Sequence, residues 1–150
     1  MVAPGAFSLV PQMVGLCQDE SVLGSDFYVM QRIDGIIPRR DFPVELSQAD
    51  TAAMCRNALG VLISLHDVDI AATPLASMYK GLGYVERQIS GWTRRFRDAR
   101  TPDVPDFEGV MTWLAINQPE DVGACMIHND FRFDNLVFSS ADPTTPIGLL

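Results

Sequence analysis

His128-Asn129-Asp130-Phe131-Arg132-Phe133-Asp134-Asn135 is the stretch whose reading decides the fold. It is a polar loop set between two apolar runs, Cys125-Met126-Ile127 and Leu136-Val137-Phe138. Both runs have β character, so short strands are expected to fix the loop at its two ends. The loop holds a carboxylate at Asp130 and an amide five positions later at Asn135. Two readings of that pair are open. Asp and Asn favour turns, so Asn129-Asp130 and Asp134-Asn135 can be turn formers and nothing more. Alternatively the loop aims a proton acceptor and a cation-binding oxygen at one point.

Working outward, Ser139 to Pro146 reads as a turn and Ile147 to Leu150 as a further strand. Upstream, Leu9 to Cys17 and Phe27 to Ile33 read as two strands joined loosely through a turn at Gln18-Asp19-Glu20-Ser21, an antiparallel pair that ends at Asp34-Gly35. Pro38 to Pro43 is a polar linker. Ser47, with Asp50 three residues on, is placed to cap a helix in which Ala49, Ala53, Leu59, Leu62, Ile63 and His66 keep approximate helical spacing. A second helix is expected from Tyr84 to Arg97, with Val85, Ile89, Trp92 and Phe96 as its apolar stripe. A third is expected from Phe107 to Asn117, with Val110, Met111 and Leu114 inward. Strands, then helices, then strands around a polar loop make an α+β chain rather than alternating βα units.

Composition narrows the classes. The 150 residues are 47% hydrophobic and 20% charged, which is globular and enough for one core. A formal net charge of −8 argues against a nucleic-acid backbone binder. No apolar run approaches the roughly 20 residues that cross a bilayer, and the start, Met1 to Phe7, does not read as a leader peptide. Neither nucleic acid nor a membrane is therefore an expected partner. Cys17, Cys55 and Cys125 are far apart and read as small buried hydrophobes in a reducing cytoplasm, without a disulfide or a zinc site. Arg87, Arg94, Arg95, Arg97 and Arg100 stand against only Glu86 and Asp98 in the segment of the second helix and the residues just after it. They form either a solvated face or a seat for an anionic substrate tail.

The loop shares the H-x-D-x-x-x-x-N spacing of the protein-kinase catalytic loop. Phosphoryl transfer needs one carboxylate near the acceptor hydroxyl and an oxygen ligand for magnesium at the phosphates. His128 to Asn135 resembles the H-G-D-x-x-x-x-N motif of the aminoglycoside phosphotransferase family. Phe27 to Gly35 resembles the family's strand-to-hinge segment, and Leu62 to Asp69 its L-x-x-L-H helix end. Gly83 to Ile89, followed by Trp92, is similar to a subgroup fused to or encoded beside acyl-CoA dehydrogenases.

The resemblance implies a protein-kinase-like fold. Residues 1–35 would be a partial N-lobe of two strands and a hinge, and residues 36–150 most of a helical C-lobe. It implies ATP and Mg²⁺ as cofactors and a small-molecule hydroxyl as acceptor, either a hydroxyacyl-CoA or an aminoglycoside-like compound, with association with an acyl-CoA dehydrogenase. Asp130 would be the catalytic base, Asn135 the metal ligand and His128 the holder of the loop's geometry. Met30, Gln31 and Ile33 would meet the nucleotide. Arg132 is assigned, beyond the family pattern, to neutralising the transferred phosphate.

Two departures stand out. Asn129 occupies a position where the family has Gly, and Asn tolerates left-handed backbone better than most residues. The family also uses a glycine-rich loop, a third-strand lysine, its partner Glu and a metal-binding Asp in a D-W-E triplet, none of which is recognised here. Lys80 and Gly81-Leu82-Gly83 fall too late. The expectation is a partial domain with negligible transfer of its own. A non-catalytic kinase-like binding module is the alternative, and a purely structural helical domain a third.

Overall fold

A computed structural model describes residues 7–150. The start of the chain, read as free of a leader peptide, lies at residues 1–6, outside the described residues. Two compact units share the chain: residues 7–76 with 126–150, and residues 77–125.

The first unit opens with an antiparallel ribbon, β1 (Met13–Cys17) and β2 (Phe27–Met30), with Leu16 opposite Tyr28. Both strands are shorter than their apolar runs. The intervening turn holds a one-turn helix, α1 (Glu20–Leu23), capped by Asp19, whose carboxylate accepts from the Ser21 amide at 2.9 Å. Gly24 ends it in the left-handed conformation at φ 84°. Helix α2 (Gln48–His66) starts as expected at Ser47, whose Oγ accepts from the Asp50 amide at 3.1 Å. Its buried stripe is Met54, Ala58, Val61 and Leu65. Leu59 and Ile63 stay 58% and 59% exposed, because they lie on the other side of the helix from that stripe.

Strands β3 (Leu136–Phe138) and β4 (Pro146–Leu149) pair antiparallel, with Leu136 opposite Leu149. The turn joining them is built on Asp142, whose carboxylate accepts from the Thr144 amide, the Thr144 hydroxyl and the Thr145 hydroxyl. The side-chain amide of Asn57 on α2 donates to the Thr144 carbonyl at 2.8 Å. Phe7, Met54, Ala58, Val61, Leu65, Val68, Leu136, Phe138 and Leu149 form the core. The chain after α2 turns through two short 3-10 segments, Ile70–Ala72 and Pro74–Met78.

The second unit holds α3 (Tyr84–Ala99) and α4 (Glu108–Ile116). Arg97 clasps Glu108 through Nε and Nη2 at 2.9 and 2.6 Å, and Phe96 meets Phe107 edge-on at 5.7 Å. That clasp holds the Glu108 carboxyl below its usual range and the Arg97 guanidinium above its own.

Several expectations need correction. Residues 125–128 lie outside any strand, since among the described residues no strand pairs with them, and of the two flanking runs β3 borders the loop as sheet. Trp92 does not face inward: it is 63% exposed, with the Arg95 guanidinium 4.8 Å from its ring centre. On α4, Met111 alone is buried, and Val110 and Leu114 are exposed. Cys55 and Cys125 are exposed and Cys17 half-buried, so the thiols are not core hydrophobes, although all three are free. Ile36 forms an antiparallel bridge with Phe138, which joins the segment around residue 35 to the β3–β4 sheet.

Two predictions follow from this packing. Leu65→Ala should cost about 2–5 kcal/mol in chemical denaturation, as for a buried leucine, and Leu59→Ala within about 0.5 kcal/mol; equal costs would refute the assigned face. The hydroxyls of Thr145 and Thr144 hold the Asp142 carboxyl below its ordinary value of 3.8. A lowered folded pKa adds stability that is complete above the unfolded value and lost as pH falls through the folded one. Asp142→Asn should therefore flatten the acid limb of the melting temperature below about pH 4 and leave its slope near neutrality unchanged.

Candidate functional site

The loop begins at His128, and a ring nitrogen fixes that end. His128 Nε2 lies 2.8 Å from the Leu150 carbonyl, an oxygen that only accepts, so Nε2 carries the proton. Its Nδ1 is buried without a partner among the described residues, and the ring meets Phe131 edge-on at 6.1 Å. His128 thus ties the loop's start to the chain just after β4. Asn129 follows at φ 67°, a left-handed turn that Asn accepts at small cost.

Asp130 and Asn135 come together. The Asn135 Nδ2 donates to the Asp130 carbonyl at 2.7 Å and to its Oδ2 at 3.0 Å. Both partners are acceptors, so the amide must turn its nitrogen toward Asp130, which leaves Oδ1 as its lone-pair atom. Asn135 itself is fixed on both backbone sides: its amide donates to the Arg132 carbonyl at 3.1 Å, and its carbonyl accepts from the Leu150 amide at 2.8 Å. The one-turn 3-10 segment Phe133–Asn135 supplies this geometry. Asp130 is exposed, its carboxylate open to solvent as well as to Asn135. Arg132 pairs with Asp134 within the loop and remains largely exposed.

A hard cation prefers oxygen, and Mg²⁺ commonly takes only one or two protein ligands beside phosphate and water. Asn135 Oδ1 suits that demand. Among the described residues no cluster of three or more His, Cys, Asp or Glu stands ready to hold a metal alone. The cation would therefore depend on phosphate oxygens for much of its shell.

The segment expected to meet a nucleotide is also placed. Met30 closes β2 opposite Met13. The Gln31 amide donates to the Gln12 carbonyl at 2.7 Å, which occupies it. The amides of Arg32 and Ile33 have no partner among the described residues. The Ile33 side chain leans on Gly148 in β4. The sequence reading missed this contact, the Ile36–Phe138 bridge and the role of the Leu150 backbone. Asp34-Gly35 at a strand end was the available signal, since a glycine there often marks a close backbone approach. Beside the loop, Cys55, Ala58, Leu59, Phe131, Phe133 and Leu136 line an apolar cleft of about 290 Å³, with Arg132 its one charged neighbour.

Among the described residues no helix is long and apolar enough to cross a membrane. Comparison with known proteins agrees with the loop geometry. Residues 2–150 match the Phosphotransferase enzyme family. Acyl-CoA dehydrogenase family member 10 of Mus musculus is 36% identical over 86% of the chain, and family member 11 of Homo sapiens 37% identical over 86%. The chain spans only 12% and 17% of the lengths of those two relatives. A solved structure of a candidate aminoglycoside phosphotransferase from Ralstonia eutropha superposes with a TM-score of 0.79 at 31% identity, over 95% of this chain and 44% of that one. With the kinase-like fold and the loop geometry in agreement, the chain belongs to the phosphotransferase enzyme family.

Proposed function

We propose that this chain carries the catalytic loop of an ATP- and Mg²⁺-dependent phosphotransferase that acts on a hydroxyl of a small molecule. One observation carries the reading: the amide of Asn135 and the carboxylate of Asp130 meet within 3.0 Å across a loop whose ends are pinned at Leu150. Asp130 orients the acceptor hydroxyl and takes its proton. Asn135 offers Oδ1 to the cation, and His128 keeps the loop closed. Met30, Gln31 and Ile33 border the nucleotide, with the Ile33 amide, which has no partner among the described residues, as donor. Arg132 adds positive charge at the transferred phosphate, in competition with Asp134 for its guanidinium. When bound, the nucleotide supplies the phosphoryl group and Mg²⁺ offsets its negative charge.

For the acceptor we favour a hydroxyacyl-CoA over an aminoglycoside. Support comes from relatives named as acyl-CoA dehydrogenase family members. The arginines of α3 support an anionic acceptor in the same direction. Association with an acyl-CoA dehydrogenase, covalent or not, belongs to the same proposal. The three free cysteines support a reducing compartment such as the cytoplasm.

The test is phosphate transfer from labelled ATP by the polypeptide of the full reading frame, offered hydroxyacyl-CoA thioesters and aminoglycosides in parallel. Asp130→Asn should lower kcat by about 10²–10⁴-fold; an undiminished rate would remove Asp130 from the chemistry. Transfer to aminoglycosides alone would reverse the acceptor assignment. A companion prediction concerns Asn129. Replacement by Gly should leave stability nearly unchanged, whereas Ala must adopt positive φ and should cost about 1–2 kcal/mol in denaturant titration.

A further inference from the structure

Gly35 is exposed and its φ is not positive, so no left-handed turn explains a glycine there. The reason is space. A Cβ at residue 35 would stand 2.4 Å from the Phe138 carbonyl oxygen, 2.7 Å from Val137 Cγ1 and 3.2 Å from Ile147 Cδ1. The carbonyl cannot swing aside, because it accepts from the Ile36 amide at 2.8 Å while the Phe138 amide donates to the Ile36 carbonyl at 2.8 Å. Nor can β3 retreat as a whole: Leu136, Val137 and Phe138 are 1%, 1% and 0% exposed, and a close-packed interior has no slack to absorb the shift.

A second approach lies nearby. A Cβ at Gly148 would stand 2.5 Å from Ile33 Cδ1. Segment 33–36 therefore rests on both strands of the sheet at positions that lack a side chain. Both strands end on the catalytic loop: β3 begins directly after Asn135, and Leu150, just past β4, bonds His128 and Asn135.

We propose that Gly35 is a positioning residue: the missing side chain sets the separation between the nucleotide-facing segment 30–33 and the loop that holds Asp130 and Asn135. The proposal rests on the functional reading given above for those two segments. A larger residue at 35 would push the bridge open and displace β3, and with it the Asn135 amide, without touching either ligand.

The test reads amide resonances of residues 130–136 in ¹H–¹⁵N spectra of the 150-residue chain, together with Mg·ATP affinity. Gly35→Ala should shift the Asn135 and Leu136 signals and weaken Mg·ATP by at least about tenfold. Gly60→Ala, in α2 with nothing within 4 Å of the added carbon, should leave both readouts in place. Gly148→Ala meets most closely the flexible Cδ1 end of Ile33, with Ile33 Cγ2 at 3.3 Å and Val137 Cβ at 3.4 Å, so it should shift the loop signals less, and adding Ile33→Ala should largely restore them. A folded Gly35→Ala chain with unmoved loop signals overturns the proposal. If Gly35→Ala does not fold, the Gly148 pair decides, and failure of Ile33→Ala to restore the loop signals overturns it. Absence of Mg·ATP binding by the wild-type chain would instead refute the nucleotide reading, with the resonance arm still deciding the positioning role.

Discussion

Phe138 exchanges two backbone hydrogen bonds with Ile36, while its ring stacks on Phe133 at 6.1 Å and meets Phe42 edge-on at 6.3 Å. Its side chain has no exposed surface at all. Three parts of the chain thus share one residue: the segment after β2, the linker before α2 and the last turn of the catalytic loop. Burying an aromatic ring contributes a few kcal/mol and fixes orientation, because aromatic pairs prefer particular offsets. The backbone pairing adds direction that burial alone lacks. The loop's chemistry depends on this anchor, since Asn135 sits three residues upstream, directly before a strand that cannot move independently of it.

The site then divides its labour between buried backbone and exposed side chains. Strand β3 is sealed, yet Asp130 and Arg132 at the loop are open to solvent. An exposed carboxylate keeps its hydration until a substrate displaces water, whereas its backbone is already held by Asn135 and, through His128, by Leu150. Holding the reacting groups in place before substrate arrives reduces the ordering cost at the moment of binding. The Arg132–Asp134 pair works differently. Both partners are partly exposed, so the pair contributes little stability and is easily exchanged for a stronger anion.

Much of this was legible in the sequence because the relevant signals were local. Ser47 and Asp50 announced α2, the spacing of Val85, Ile89 and Phe96 announced α3, and the spacing of Asp130 and Asn135 announced the loop. Asn129 was read as tolerant of positive φ, and it adopts it. What failed was non-local. Whether Leu59 or Leu65 of α2 faces the core depends on where β3 and β4 lie, which helical spacing cannot say. Trp92 looked like core because its spacing put it in the apolar stripe of α3, yet Arg95 provides a surface partner. Residues 125–127 carry strand-forming side chains but find no neighbouring strand among the described residues, and β propensity without a partner makes no sheet. The Gly35–Phe138 contact spans about a hundred residues and has no local signature beyond the glycine itself.

The first compact unit is assembled from two stretches separated by the whole of residues 77–125. On the ribosome, residues 7–76 emerge well before Leu136 and Phe138. Until those late residues arrive, the apolar side of α2 has no sheet to cover it, and the nascent chain must carry that surface in the open. At typical elongation of about 5–20 residues per second, the wait lasts several seconds, long enough for chaperones to bind α2 and for neighbouring chains to compete for it.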